Sequence, residues 1–329
     1  MKALVYTAEK EVQFRDEPAP EPSPGEVVVA VDAVGICGSD MHAYLGHDPR
    51  RVPPLILGHE AVGRIMEGTN AGSTVVINPL ITCGECDECQ GGRPNLCAKR
   101  DIIGMYRAGA FAERVAVPAR NLIEMPQDMD PAHAALTEPA ATALHAVNLA
   151  AKAAHRPVSE SRALVIGGGS VGLFSALALR DQGAAELELV ETNALRRRTI
   201  EEAGVCKVVD PIAEPLGESR FEIVIDAVGG KLSRESAIAA VRPGGVVMHI
   251  GLLDNDGGVD VRRMTLHEIT LIGTYTYTPV DLRATVRKLY SGAFGDLGWV
   301  ERRSLEDGAG AFDDLLHGRS AAPKIVLCP

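Results

Sequence analysis

The chain has 329 residues, 46% of them hydrophobic and 4% aromatic, and a formal net charge of −11 at pH 7. That length suits about two domains, and the acidic balance argues against nucleic acid or an anionic membrane as the main partner, because both need clustered Lys and Arg. No apolar run approaches the roughly 18 residues of a membrane span, and the opening MKALVYTAEKEVQF meets Glu9 and Glu11 too soon for a signal peptide. The expected location is therefore the cytoplasm, where thiols stay reduced.

Short strands broken by turns are predicted over residues 2–7, 25–35, 59–68, 73–79 and 110–118, with Pro and Gly filling gaps such as EPAPEPSPGE. This is the pattern of an all-β module. Two stretches in it, GICGSDMH (35–42) and GHEAVG (58–63), carry Cys37 and His59. Both are natural zinc ligands, and a catalytic zinc takes three protein ligands and keeps a fourth position open. The third would be a carboxylate, Glu60 or Glu138. Residues 83–97, CGECDECQGGRPNLC, hold Cys83, Cys86, Cys89 and Cys97, four of the seven cysteines. Reduced thiolates at these spacings converge on one tetrahedral zinc, and four sulfur ligands leave no open position, so this site is structural. An iron–sulfur cluster is the rival reading of the first three cysteines, but Cys97 is followed by Ala98 and not by proline. A zinc ribbon for nucleic acid would need a basic face, and CGECDECQ is acidic. Cys206 and Cys328 have no assigned role.

Near Pro131 the character changes to an alanine-rich helix, PAHAALTEPAATALHAVNLAAKA. Six apolar strands follow, over 163–167, 187–191, 207–210, 221–229, 245–251 and 269–273, and four of the five gaps hold a helix or crossover. Strands alternating with helices imply a doubly wound parallel sheet. The first of these strands runs into GGGSVG, where Gly167, Gly169 and Gly172 fit G-x-G-x-x-G with Ser170 and Val171 opening the helix. Such glycines let the backbone turn tightly and approach a pyrophosphate at a helix N-terminus. Glu191 ends the second strand, where a carboxylate holds the ribose hydroxyls of NAD and repels the 2′-phosphate of NADP. Arg196, Arg197 and Arg198 are read as a solvated helix face, with Arg196 the candidate for a cofactor contact; NAD is expected over NADP. After Tyr277 a helix (280–292) and a final strand (324–328) return to the first module. The predicted division is 1–140 and 279–329 as the β-rich unit, with 141–278 inserted as the nucleotide-binding unit.

CGSDMH, GHE, the four-cysteine lobe, TEP followed by ALHAV, and GGGSVG stand in the order and at approximately the spacing of the zinc-dependent medium-chain alcohol dehydrogenases. Over nearly its whole length the chain resembles that family, most of all its polyol (sorbitol-type) and threonine dehydrogenase branch. The resemblance implies a GroES-like catalytic domain beside a Rossmann domain, two zinc ions per chain, NAD, and a dimer or tetramer paired through the last Rossmann strands. It implies that Cys37, His59 and Glu138 ligate the catalytic zinc, with Glu60 able to exchange into the shell. Ser39 and His42 correspond to the proton relay, and Asp40 to the partner of the histidine ligand. Thr142 corresponds to a nicotinamide contact, Ile250 to a cofactor contact, and Lys324 to a cationic contact with a cofactor phosphate. The implied reaction is oxidation of a secondary alcohol, a polyol or sugar alcohol, to the ketone. The alternatives are a threonine or simple-alcohol dehydrogenase and an inactive NAD- and zinc-binding protein. The segment 47–54, rich in Arg and Pro, suggests no role, and Gly109, Ala110 and Phe111 are expected in a cleft wall.

Overall fold

The computed structural model describes residues 1–329. Two sheet systems organise it. Six parallel strands stand in the order Lys207–Val209, Glu186–Val190, Arg162–Ile166, Phe221–Asp226, Val241–His249, Thr270–Gly273. The order reverses between the first and fourth strands of the unit, and ligands of such sheets bind at that switch point, beyond the strands' C-terminal ends. The strands are near-continuous apolar runs because helices cover both faces. All six sequence-predicted strands are present, and the helix-free gap is the one between Val209 and Phe221.

The β-rich part is built on the long strand Glu26–Gly35. It pairs antiparallel with Glu60–Ile65, Arg114–Pro118 and the final strand Lys324–Cys328, so the C-terminus does return to the first module. This register places the site. Gly35 lies opposite both Glu60 and Val326, and Cys37 follows two residues on. Gly35 is required there: a Cβ on it would fall 2.1 Å from Glu60 Oε2.

The tail holds two elements the sequence did not suggest, the strand Val300–Ser304 and the helix Gly308–Leu316. The strand, VERRS, lies at the sheet's edge, where polar residues face water and no apolar run is needed. The helix begins GAGA, a weak helix former, and is held by packing: Phe312 meets Tyr44 and Phe111 at ring-centroid distances of 5.1 and 6.0 Å. The strand Glu11–Asp16 is a third such element, at the edge of its own sheet for the same reason.

Gly109, Ala110 and Phe111 are not a cleft wall. Their backbone N–H groups donate to Ile56, Gly58 and Leu57, and Ala110 and Phe111 are at most 1% exposed. They pin the GHE turn from beneath. The helix Thr137–Ala153 runs unbroken across the expected boundary at 140 and packs against the helix Pro279–Tyr290.

Candidate active site

Cys37 caps the short helix Gly38–Tyr44. Ser39 N–H donates to its Sγ at 3.5 Å, while Asp40 Oδ2 accepts from Cys37 N–H at 3.0 Å. The same carboxylate faces His59, with Asp40 Oδ1 3.5 Å from His59 Nδ1. Both side chains are buried. Burial alone would raise the Asp40 pKa, but His59 and Arg51 hold it below the ordinary range. A carboxylate on one ring nitrogen fixes a histidine's orientation and leaves the other nitrogen to a ligand.

The ligand atoms of Cys37, His59 and Glu60 lie within 4.8 Å of one another. Thiolate, imidazole and carboxylate together suit zinc. Glu138 adjoins this group from the start of its helix, is buried, and has its pKa pushed up to about 7 by burial against the opposing influence of His59. Tyr277 is 1% exposed, and its hydroxyl borders the Glu138 carboxyl.

Cys83, Cys86, Cys89 and Cys97 form a second centre, their Sγ atoms within 4.8 Å of one another. The Cys83–Cys97 and Cys83–Cys89 Sγ separations are 3.5 and 3.9 Å, and none of the four is in a disulfide. Zinc–sulfur bonds of about 2.3 Å in a tetrahedron put neighbouring sulfurs about 3.8 Å apart. The four-cysteine lobe therefore has the dimensions of a closed zinc site.

Ser39 and His42 share the helix Gly38–Tyr44. His42 is half-buried, which with His47 and Arg51 lowers its pKa. Arg51, from the segment that suggested no role, is buried beneath them. It donates to Ser39 Oγ at 3.1 Å, to Ser39 O at 3.0 Å, to Gly104 O at 3.1 Å and to Asp48 Oδ2 at 2.7 Å. Nothing in its sequence context distinguishes Arg51 from Arg50, which is exposed.

Lys324 sits beside the candidate metal site. It is 2% exposed, and its ammonium donates to Ile36 O at 2.8 Å and to Glu60 Oε1 and Oε2 at 2.8 and 2.6 Å. Those three bonds exhaust its donors. Pairing outweighs desolvation, because one cation neutralises a carboxylate that is otherwise wholly buried.

The glycine loop has the shape its spacing predicts. A Cβ at Gly172 would fall 1.8 Å from Gly167 O, Gly167 has φ +103°, and a Cβ at Gly169 would meet nothing within 4 Å. The loop packs tightly on itself yet stays open at the N-terminus of the helix Ser170–Asp181, which also carries Val171. Glu191 Oε2 accepts from Gly168 N–H at 2.9 Å and from Arg196 at 3.2 Å. Arg197 binds the Glu191 and Thr192 carbonyls and Asp210, while Arg198 stays on the surface. Ile250 is partly buried, its N–H donating to Asp226 O at 2.9 Å at the switch-point end of the sheet. Thr142 Oγ1 donates to Glu138 O at 3.4 Å, one turn beyond the metal-site carboxylate.

A doubly wound sheet with an open glycine loop, joined to a β module with two metal-ligand clusters, defines a nucleotide-dependent dehydrogenase. Residues 23–127 match the alcohol dehydrogenase GroES-like domain, and residues 170–291 match the zinc-binding dehydrogenase domain. L-galactonate-5-dehydrogenase of Escherichia coli strain K12 is 32% identical over 307 residues, covering 89% of this chain and 88% of the relative. L-threonine 3-dehydrogenase of Stenotrophomonas maltophilia is 29% identical over 99% of both chains. A protein of Sinorhizobium meliloti 1021 described as a zinc-binding dehydrogenase, solved bound to NADP, superposes with TM-score 0.87 at 30% identity, over 100% of this chain and 99% of that one. The chain belongs to the zinc-type medium-chain alcohol dehydrogenase family. It is an NAD(P)-dependent oxidoreductase, and no helix is long and apolar enough to cross a membrane.

Proposed function

We propose that the chain oxidises a secondary alcohol of a polyhydroxylated substrate to the ketone, with NAD as acceptor. The observation that carries the reading is the convergence of Cys37, His59 and Glu60, with Glu138 beside them and the Ser39–His42 helix at their edge. Cys37 and His59 would hold the catalytic zinc with Glu138, and Glu60, whose carboxylate lies within 4.8 Å of the Cys37 and His59 ligand atoms, would be able to exchange into the shell. When bound, zinc supplies a Lewis acid that lowers the pKa of the substrate hydroxyl, and NAD supplies the hydride acceptor.

The chain's own residues handle the proton. Arg51 occupies one lone pair of Ser39 Oγ. The other lone pair is left to accept the substrate's proton while the Ser39 O–H passes its own onward, as a relay needs. Half-burial lowers the His42 pKa, which keeps its ring neutral and able to take that proton to water. The glycine loop seats the pyrophosphate, Glu191 and Arg196 meet the adenosine ribose, and Thr142 and Ile250 border the nicotinamide end. NAD is favoured over NADP because Glu191 stands where a 2′-phosphate would be repelled.

The four-cysteine lobe holds the second zinc. Seven cysteines without a disulfide support a reducing, cytoplasmic setting. A homo-oligomer is supported by Thr270–Gly273, the free edge of the six-stranded sheet, with Leu252 and Leu253 exposed at 70% and 58% nearby. The division into 1–140 with 279–329 and 141–278 is supported by the sheet pairing, with the helix Thr137–Ala153 shared between the units. Similarity to an enzyme named for L-galactonate, a polyhydroxy acid, supports a polyol over a simple alcohol. The test is NAD reduction over polyols, polyhydroxy acids, simple alcohols and threonine. Turnover confined to threonine would replace this reading with the threonine dehydrogenase one.

A further inference from the structure

The helix Gly38–Tyr44 carries His42 in its last turn and ends in a tight reversal. Gly46, at φ +73°, takes the left-handed conformation that such a reversal needs. Two backbone bonds lock it: Gly46 N–H donates to Ala43 O at 2.8 Å, and His47 N–H donates to His42 O at 2.9 Å. This nested pair closes many helices through a glycine, and it folds the residue after the glycine back against the one three places before the cap. The two side chains that meet there are commonly apolar. Here both are histidines, His42 and His47.

The two rings differ in exposure. His42 is half-buried, whereas His47 is open to water. They are close enough to feel each other: after burial, the charge of His47 is the largest influence holding the His42 pKa below its ordinary value. Arg51 acts in the same direction and Asp48 against it. Asp48 is itself tied to Arg50 and Arg51. On the outer side of the turn, the Glu9 carboxylate sits at Gly46, where a Cβ would fall 3.3 Å from Glu9 Oε2, and Lys10 Nζ lies 3.7 Å from Glu9 Oε1. Of these groups, Asp48 and Arg51 are buried, while Glu9, Lys10 and Arg50 are exposed. A half-buried imidazole meets few waters that could carry its proton off. A second imidazole beside it accepts a proton with little change in free energy, because the two groups are chemically alike.

We infer that His47 is the outer station of the proton path, taking from His42 the proton that leaves the substrate and releasing it to water. One N–H bond breaks on the His42 ring as one forms on the His47 ring, and the proton then passes from His47 to solvent. No electrons are transferred in this step. The inference rests on the alcohol-oxidising reading of the site, and His47 acts only through His42.

The test is a single turnover of wild type, His47→Gln and His47→Lys in dilute buffer, on the secondary alcohol that wild type oxidises best. NADH is followed by its absorbance and proton release by a pH-indicator dye, so that the departure of NADH does not limit what is read. Both variants keep the backbone bonds of the turn. His47→Gln is expected to slow proton release several-fold, short of the roughly hundredfold that loss of an acid–base group costs, because His42 still meets some water. Added imidazole should restore the wild-type rate. The pKa in the pH–rate profile should rise, since a positive neighbour of His42 is gone. His47→Lys keeps a positive charge but stays protonated near neutral pH, so it should slow release without that upward shift. Proton release at the wild-type rate in His47→Gln, or a slowing that imidazole does not relieve, would overturn the inference and leave the alcohol-oxidising reading standing. No turnover of any alcohol by wild type would overturn both.

Discussion

The ammonium of Lys324 donates to both carboxylate oxygens of Glu60, at 2.8 and 2.6 Å, and neither residue is more than 2% exposed. The pair fixes the carboxylate that stands with Cys37 and His59. Removing one partner of a buried ion pair costs about 3–5 kcal/mol, because the other charge is left without compensation. Lys324→Met is therefore expected to melt well below wild type when metal is chelated. Added zinc should narrow the gap, since a divalent ion beside Glu60 replaces the lost positive charge. NAD affinity should not change, because Lys324 has no free donor to offer a phosphate. Equal melting of the two chelated proteins would show that the pair contributes nothing to stability.

Arg51 positions Ser39. Its guanidinium holds both the hydroxyl and the carbonyl of that residue, so the serine's proton has one direction left to travel. Arg51→Met is expected to lower kcat by about ten- to a hundredfold, the range of a charged hydrogen bond, with NADH binding by fluorescence unchanged. The solvent isotope effect on kcat should rise as proton transfer becomes slower. A fall in NADH affinity together with an unchanged isotope effect would mean that Arg51 only holds the loop.

The parallel sheet was readable in the sequence because its strands, buried on both faces, are continuous apolar runs bounded by helices. The glycine loop was readable because few sequences satisfy its steric demands, as the 1.8 Å approach at Gly172 shows. Cys37, His59 and the four-cysteine lobe were readable because metal ligands are chemically restricted. The edge strands Glu11–Asp16 and Val300–Ser304 were not, since a strand at an edge needs little apolar surface. Arg51 and Tyr277 were not, since a lone arginine or tyrosine is ordinary until the fold buries it. The Lys324–Glu60 pair is not legible either, because a sequence shows a charge and not its partner.

Glu191 ties the glycine loop to Arg196. Glu191→Ala removes the carboxylate that repels a 2′-phosphate and frees the Arg196 guanidinium to receive one. The ratio of kcat/KM for NAD to that for NADP is expected to fall by about tenfold or more, the scale of one charged contact. An unchanged ratio would remove Glu191 from cofactor choice.

Asp281 joins the helices Pro279–Tyr290 and Thr137–Ala153 through His145 and Asn148. Burial alone would raise its pKa, but hydrogen bonds from His145 and Thr278 outweigh burial and hold it at about 2, against an ordinary value of 3.8. The ionised group therefore stabilises the fold in full above the ordinary value, and the contribution is lost as pH falls through about 2. By linkage it amounts to roughly 2 kcal/mol. Asp281→Asn should lose about that stability at neutral pH and show a shallower decline under acid, as denaturant titrations at several pH values would reveal. An unaltered acid slope would place the acid sensitivity elsewhere.

On the proposed function, two zinc sites serve different purposes in one chain. Elemental analysis of zinc per chain, beside NAD reduction on polyols and a thermal melt, separates the two sites when wild type is set against Cys37→Ser. The expected result is two zinc ions and turnover in wild type, and one zinc, no turnover and a folded protein in Cys37→Ser. Two zinc ions and full turnover in Cys37→Ser would mean that Cys37 holds no catalytic metal.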